Sequence, residues 1–251
     1  MFNVPQANTI SSKPTFDSQI KCQTCSIRRL CLPVMLADSE IEHLENIIQR
    51  KRVLKKGEFL FKAGESFDAI HAIRSGSLKS YTIASDGTEQ LTGFHLPGEI
   101  VGLNAVSSET FPSFAKALET SLVCSIPFNK LEVLSRDLPG LQSQLFRVMS
   151  SEIRDDQELM MLLNKKNADE RFAAFVMNLS ARYKRRGLSD SEFILSMTRG
   201  DIGNYLGLAV ETVSRLITRL QKKDLINMKD RYLNILDKDG LSQLAGVSCH
   251  H

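Results

Sequence analysis

Cys22, Cys25 and Cys31 fall in the spacing C-x2-C-x5-C, and a further cysteine, Cys124, stands far downstream. Thiolates are soft ligands. Three clustered thiolates with a distant fourth can hold a tetrahedral zinc ion or a four-iron iron–sulfur cluster. Spacing alone does not separate the two. Cys249, beside His250 and His251, has no partner at useful spacing and reads as a tail residue. A second constellation lies nearer the C-terminus. Glu211, Ser214, Arg215 and Thr218 are spaced i, i+3, i+4 and i+7, which sets them on one face of a helix. Arg can grip guanine through O6 and N7, Glu can accept from the N4 amine of cytosine, and Ser can serve either base type. A lone carboxylate facing a polyanion is costly unless it reads a base.

That face needs a scaffold, and the neighbouring residues supply one. Residues 198–208 read as a short helix and a glycine-containing turn, and residues 209–223 as a second helix with Val213, Leu216, Ile217 and Leu220 on its inner side. The pair is a helix-turn-helix with its recognition helix in second place. Apolar runs at 225–226 and 232–236, separated by Lys229-Asp230-Arg231, suit a small β-hairpin wing. Upstream, Asn167 and Glu170 make a capping-box start for a helix whose apolar face is Phe172, Phe175, Val176 and Leu179. A basic stretch at 183–187 ends that helix.

The cysteines need a different scaffold. A short amphipathic helix is expected at 38–48. From 53 to 127, short apolar runs are punctuated by Gly57, Gly64, Gly76, Gly87 and Gly98. Asp86-Gly87 is a hairpin signal between strands at 78–83 and 90–94. Regularly spaced short strands predict an antiparallel β-barrel or jelly roll, with Cys124 in its last strand, 121–126.

Between the scaffolds runs a helix over 137–164, with Asp137 as its N-cap and Pro139 in its first turn. Phe146, Met149, Ile153, Asp156, Met160 and Leu163 are spaced 3, 4, 3, 4, 3, the a/d seam of a coiled coil. Asp156 stands where a hydrophobe belongs. In a parallel two-fold dimer it faces its own copy, so the pairing is weakened and a signal can decide it. The alternative is a single helix packed on its own domain with Asp156 at the rim.

The totals agree with this layout. A chain of 251 residues can bury one or two cores. Residues 1–164 carry 17 Lys and Arg against 19 Asp and Glu, whereas 165–231 carry 14 against 8, so the basic segment coincides with the helix-turn-helix. The polar residues 1–20 read as a flexible tail. The sequence shows no signal peptide and no apolar run long enough to span a membrane, which points to the cytosol. There, cysteines serve as thiols or ligands more often than as a disulfide framework. The fold class is therefore α+β: residues 21–136 a sensor domain with a β-barrel, 137–164 a dimerisation helix, and 165–251 a winged helix-turn-helix domain.

This order, with the run Asp201-Ile202 … Leu206-Gly207-Leu208 … Glu211-Thr212-Val213-Ser214-Arg215 … Leu220-Gln221, resembles the cyclic-AMP-receptor/FNR family of bacterial transcription factors. The resemblance covers almost the whole chain from Cys22. The nucleotide-binding branch needs a phosphate cradle. Pro97-Gly98-Glu99-Ile100-Val101-Gly102 keeps its turn, but Leu103 stands where the cradle's Glu would fall, and Phe111-Pro112-Ser113-Phe114-Ala115 offers no Arg for the phosphate. No cyclic nucleotide is expected. With Cys22, Cys25, Cys31 and Cys124, the resemblance narrows to the oxygen-responsive iron–sulfur branch. It implies a 4Fe-4S cluster on those cysteines under an apolar cover of Ile27, Leu30 and Leu32. It implies a homodimer along the seam, with Glu211, Thr212, Ser214, Arg215 and Thr218 at the DNA. It also implies anaerobic binding to TTGAT-type inverted repeats at promoters, where RNA polymerase is activated or repressed, and loss of the dimer when oxygen converts the cluster. In a haem-responsive relative, His43, His71 and His95 would be the candidate ligands. An iron–sulfur electron carrier or redox enzyme leaves the Glu211–Arg215 face unexplained, and no nucleophile–base set or dinucleotide fingerprint is present.

Overall fold

The computed structural model describes residues 21–246; the expected tail at 1–20 and Cys249, His250 and His251 lie outside the described residues. Three 3-10 turns, Cys22–Thr24, Arg28–Leu30 and Leu32–Met35, carry the clustered cysteines. Helix α1 (Asp38–Ile47) follows, and the Glu40 carboxylate accepts the Ala37 N–H at its start.

Eight strands come next: β1 (Gln49–Leu54), β2 (Phe59–Phe61), β3 (Ala69–Ser75), β4 (Leu78–Ile83), β5 (Glu89–His95), β6 (Ile100–Val101), β7 (Phe114–Ala117) and β8 (Ser121–Pro127). They pair antiparallel in two four-stranded sheets, ordered β1-β8-β3-β6 and β2-β7-β4-β5. Leu54, Ile73 and Val123 from one sheet and Phe61, Leu78 and Ala115 from the other close a common core, which makes the jelly roll expected from the strand spacing. The Asp86-Gly87 turn joins β4 to β5, and the Ala84 N–H donates to the Thr88 carbonyl. Strand β5 is left at a sheet edge.

Helix α2 (Phe128–Asp137) and helix α3 (Pro139–Lys165) follow. This corrects the expected role of Asp137, which ends α2 and does not cap α3. A residue before proline is pushed out of the helical region, and Leu138, at φ −120° and ψ 90°, makes the break. Pro139 does occupy the first turn of α3. That helix is 27 residues long and buries only Leu141 within its own chain.

The C-terminal part holds α4 (Ala168–Arg185), β9 (Glu192–Ile194), α5 (Arg199–Leu206), α6 (Val210–Lys222), β10 (Ile226–Lys229), β11 (Tyr232–Ile235) and α7 (Lys238–Ala245). The Asn167–Glu170 capping box opens α4, with reciprocal bonds of 2.8 and 3.1 Å. Phe172, Phe175, Val176 and Leu179 are buried as the pattern required. The wing has a third strand, β9, beside β11, and α7 packs on α4; neither follows from the sequence pattern. One apolar core runs from this part into the barrel, joining Phe172, Phe175, Ile202 and Leu216 to Tyr81, Leu91, Phe94 and Leu96. Among the described residues, no helix is long and apolar enough to cross a membrane.

Candidate metal centre and nucleic-acid interface

The three 3-10 turns lay the segment from Cys22 to Cys31 against β8, where Cys124 pairs in register with Ala72 of β3. Arg28 and Gln23 pin the segment to Asp38, through an ion pair of 2.6 Å and a bond of 3.2 Å to its carbonyl. Cys22, Cys25, Cys31 and Cys124 then line one cavity of about 30 Å³. Its other walls are apolar, from Ile27, Leu32, Pro33, Leu44, Ile48 and Ile126, apart from Arg28 and Arg74. Burial pushes the Cys31 thiol up to about 12, and the neighbouring Cys124, Cys22 and Cys25 thiols add to the rise. Among the described residues, no three His, Cys, Asp or Glu side chains converge closely enough to hold a single metal ion.

Ile27 and Leu32 cover this cavity, but Leu30 does not. It packs over the turn at Gly98, where an added Cβ would stand 2.6 Å from the Leu30 Cβ, so only glycine fits at this φ of +93°. On the other side, the Leu32–Met35 turn rests on the start of α3, with the Met35 carbonyl 3.0 Å from where a Gly140 Cβ would be. Leu141, Leu145 and Val148 of α3 share one cluster with Leu32, Leu36, Cys31 and Cys124.

Inside the barrel, Phe111 stacks on Phe61 at 3.8 Å, with Phe67 edge-on to it at 5.4 Å, and Leu103 is buried. His71 meets the Ser125 hydroxyl at 3.0 Å and His95 the Ser80 hydroxyl at 2.9 Å. Burial pushes both imidazoles down to about 4, so each is neutral at pH 7. His43 is exposed on α1.

Along α3, Phe146, Ile153 and Met160 are 63%, 59% and 63% exposed. Met149 and Asp156 are exposed as well, and Leu163 is half-buried. Burial and then the neighbouring Asp155 raise the Asp156 carboxyl above its ordinary range. Glu152 is pushed up to about 7 by burial, then by Asp156 and Asp155. At the far end of α3, sequence reasoning missed Arg171. Its guanidinium donates to the carbonyls of Leu163 at 2.6 Å, Lys166 at 2.9 Å and Leu206 at 3.1 Å. One side chain thus ties the end of α3 to the end of α5.

The helix-turn-helix is α5 and α6. Thr198 and Asp201 cap α5 reciprocally, at 3.0 and 2.9 Å. A Cβ at Gly203 would lie 2.6 Å from the Leu208 carbonyl, which forces glycine where the two helices meet. Val213, Leu216, Ile217 and Leu220 are buried. Glu211, Arg215 and Thr218 are exposed, and Thr212 and Ser214 are half-exposed. Ser214, Arg215, Thr218, Arg219 and Lys222 line one open concavity. Arg219 and Lys222 extend this face at i+4 and i+7 from Arg215, a spacing visible in the sequence but overlooked there. Arg199 of α5 reaches the Ser214 hydroxyl at 3.4 Å, and Arg219 pairs with Asp169 at 3.0 Å.

Comparison with known proteins agrees with this geometry. A model of the cyclic nucleotide-binding domain matches residues 51–137, and one of the bacterial regulatory proteins of the crp family matches residues 195–226. The chain is 52% identical over 243 residues to the fumarate and nitrate reduction regulatory proteins of Yersinia pestis and Escherichia coli (strain K12), covering 97% of this chain and 97% of each relative. The solved structure of FixK2 from Bradyrhizobium japonicum is similar with a TM-score of 0.71 at 28% identity, over 77% of this chain and 96% of that one. A CRP-family transcriptional regulator from Thermus thermophilus shares the fold with a TM-score of 0.64 at 18% identity, over 78% of this chain and 96% of its own.

The half-buried Cys31 thiol gives a direct check. In metal-free protein at pH 8, a thiol pushed up to about 12 is almost wholly protonated, and the thiolate is the nucleophile. Alkylation of Cys31 by iodoacetamide, followed by peptide mass spectrometry, should be slower than that of free cysteine by about tenfold or more. An equal rate would show that the thiol is not desolvated.

Proposed function

This chain belongs to the crp family of bacterial regulatory proteins, among the fumarate and nitrate reduction regulators, and from that premise we propose that it is an oxygen-responsive transcription regulator carrying a 4Fe-4S cluster. It is a regulator, not an enzyme. In this reading the cluster-loaded dimer binds TTGAT-type inverted repeats in the cytoplasm and acts on RNA polymerase. Residues 21–136 sense, the 137–164 segment dimerises, and 165–251 reads DNA.

One observation carries the proposal: four cysteines from two distant parts of the chain line a single apolar cavity. Zinc with Zn–S bonds of about 2.3 Å would draw four sulfurs to within about 3.8 Å of one another. Four thiolates suit either zinc or a 4Fe-4S cluster, and the 52% identity to fumarate and nitrate reduction regulatory proteins supports the cluster. When bound, the cluster supplies oxygen-labile iron–sulfur ligation. Every other part is the chain's own. Cys22, Cys25, Cys31 and Cys124 ligate as thiolates, so Cys31 gives up its proton on loading. Ile27 and Leu32 limit access to the site. The Leu32–Met35 turn passes any movement of the cysteine segment to α3. Against a cyclic nucleotide stand Leu103, the absence of an Arg across 111–115, and the rings of Phe61 and Phe111 filling the barrel.

Replacing any one of Cys22, Cys25, Cys31 or Cys124 by Ser should abolish anaerobic activity and the cluster's visible absorption, whereas Cys249→Ser should change neither. Full iron and sulfide content in Cys124→Ser, or stoichiometric zinc without iron in anaerobically purified wild type, would refute the ligand set.

The exposed face of α6 leads to a second outcome. Arg215→Ala or Glu211→Ala should reduce discrimination at the G·C pair of TTGAT by roughly 1–3 kcal/mol each. Anisotropy titrations on specific and random duplexes measure it; equal losses on both would remove the base-reading role.

The seam leads to a third. Asp156→Ala removes a like-charge contact and adds helix propensity, so the cluster-free protein should dimerise in air. Ile153→Ala should weaken the dimer by about 2–5 kcal/mol, counting both copies, with the cluster intact. Sedimentation velocity in air and under argon decides. An Asp156→Ala protein that stays monomeric in air, at concentrations where loaded wild type is dimeric, means that this carboxylate is not the brake.

A further inference from the structure

The helix-turn-helix does not hang from α3 by a tether; it is docked on the barrel of its own chain. Strand β5 is a sheet edge, whose backbone groups need partners. Asn204 of α5 supplies them. Its Oδ1 accepts the Leu91 N–H at 2.6 Å and its Nδ2 donates to the Glu89 carbonyl at 2.7 Å, so a side-chain amide stands where another strand would pair. Beside it, Lys79 of β4 pairs with Asp201 of α5 at 2.6 Å, with both side chains largely buried at 15% and 12% exposure. A third grip comes from the β5–β6 turn. Glu99 accepts from Arg182 at 2.5 Å and from Arg186 at 2.6 Å, and the same two arginines donate to the carbonyls of Phe94 and Pro97. The Phe94 ring lies 5.1 Å from that of Tyr205 and 6.0 Å from that of Phe175.

These contacts have a geometric consequence. The link from α3 to α4 is only Lys166 and Asn167; Arg171 holds it at one point, through the carbonyls of Leu163, Lys166 and Leu206, and the docking adds a second, broader hold. Within each protomer, the position of α6 relative to α3 is then held by the barrel together with Arg171. Adding one base pair between half-sites moves one of them by about 3.4 Å and turns it by about 35°. A swivelling reader follows that change; a docked one cannot.

We propose that the docking of α4 and α5 onto the edge of the barrel sets the half-site spacing this regulator accepts, and that Lys79 and Glu99, both on the barrel, are determinants of that spacing. The inference rests on the reading above, that a dimer binds inverted repeats.

The test uses full-length, anaerobically purified protein and TTGAT inverted repeats whose central spacer is changed one base pair at a time. Wild type should prefer one spacing over its neighbours by about tenfold or more. Lys79→Met and Glu99→Gln should flatten that preference to about threefold or less while leaving binding to a single half-site unchanged, and Lys79→Arg should keep the wild-type profile. Glu99→Gln leaves two arginines buried beside a neutral partner, at a cost to folding, so Lys79→Met is the decisive variant. Hydrogen exchange at the Leu91 amide, which needs neither DNA nor cluster, should speed up by about tenfold in the Met variant. Faster exchange with an unflattened spacing profile overturns the proposal, and so does unchanged exchange. A wild type that binds no repeat at any spacing overturns the regulatory reading instead, and the exchange measurement still reports whether the docking exists.

Discussion

A helix of 27 residues that buries one side chain in its own chain has to be covered from outside. A surface helix usually hides an apolar stripe on the body beneath it. On α3 the stripe of Phe146, Met149, Ile153 and Met160 faces away from the barrel, while Leu141, Leu145 and Val148 face it. Apolar surface left in water forgoes roughly 25 cal/mol per Å². The 3-4 spacing of the stripe matches a second copy of itself better than any flat surface. In the proposed dimer the match is spoiled at one level, where Asp155 stands beside Glu152 and Asp156, two carboxylates that burial already discourages from ionising. On the proposed reading the helix holds both the drive to pair and the restraint on pairing.

Each end of α3 meets a different part of the chain by a short route. At its start, the turn that follows Cys31 lies on Gly140, and the absence of a side chain there lets the two backbones approach. A substituent at Gly140 would have to displace the Met35 carbonyl. At its end, the three carbonyls held by Arg171 belong to α3, to the link and to α5. Carbonyls at a helix terminus lack intrahelical donors. One guanidinium thus satisfies two helix ends and couples them. No long relay of packed side chains is needed between the cysteines and the DNA-reading face, because one rigid element spans the distance.

Much of this is legible in the residues. The 3.6-residue period places the inner faces of α4 and α6, glycine spacing places the barrel turns, and the Asn167–Glu170 pair marks a helix start that the structure keeps. What is not legible has physical reasons. Asp137 reads as a cap because it precedes a proline by two residues, yet the pre-proline restriction acts on Leu138 and leaves Asp137 on the other side of the break. Strand β9 is three residues long, too short for a period to show. Leu30 carries the same apolar signal as Leu32, and only the turn geometry decides that one meets Gly98 and the other the cavity. The ties of Lys79 to Asp201 and of Glu99 to Arg182 span more than 80 positions and leave no local pattern at all. Four cysteines around one space is likewise a tertiary fact, although their spacing makes it the first thing to look for.

In the proposed dimer, a weak seam suits what a switch requires. Moving a two-state equilibrium from 1:99 to 99:1 takes about 5.5 kcal/mol of difference between the states. A fully apolar seam would favour the paired state whether or not the signal is present. In the proposed dimer a two-fold interface counts every substitution twice, so one carboxylate per chain at the middle of the stripe would act as two, facing each other across the axis. That restraint is local, and so can be offset locally. The cysteine segment packs on Leu141 and Leu145, a few turns from Asp156 along the same helix, and shifts there change how closely two copies approach. A brake placed near an end of the helix would be spared by fraying, and one placed on the barrel would have no mate. On the proposed reading, a position inside the seam, within reach of the sensor and doubled by symmetry, gives a single side chain weight against the signal it opposes.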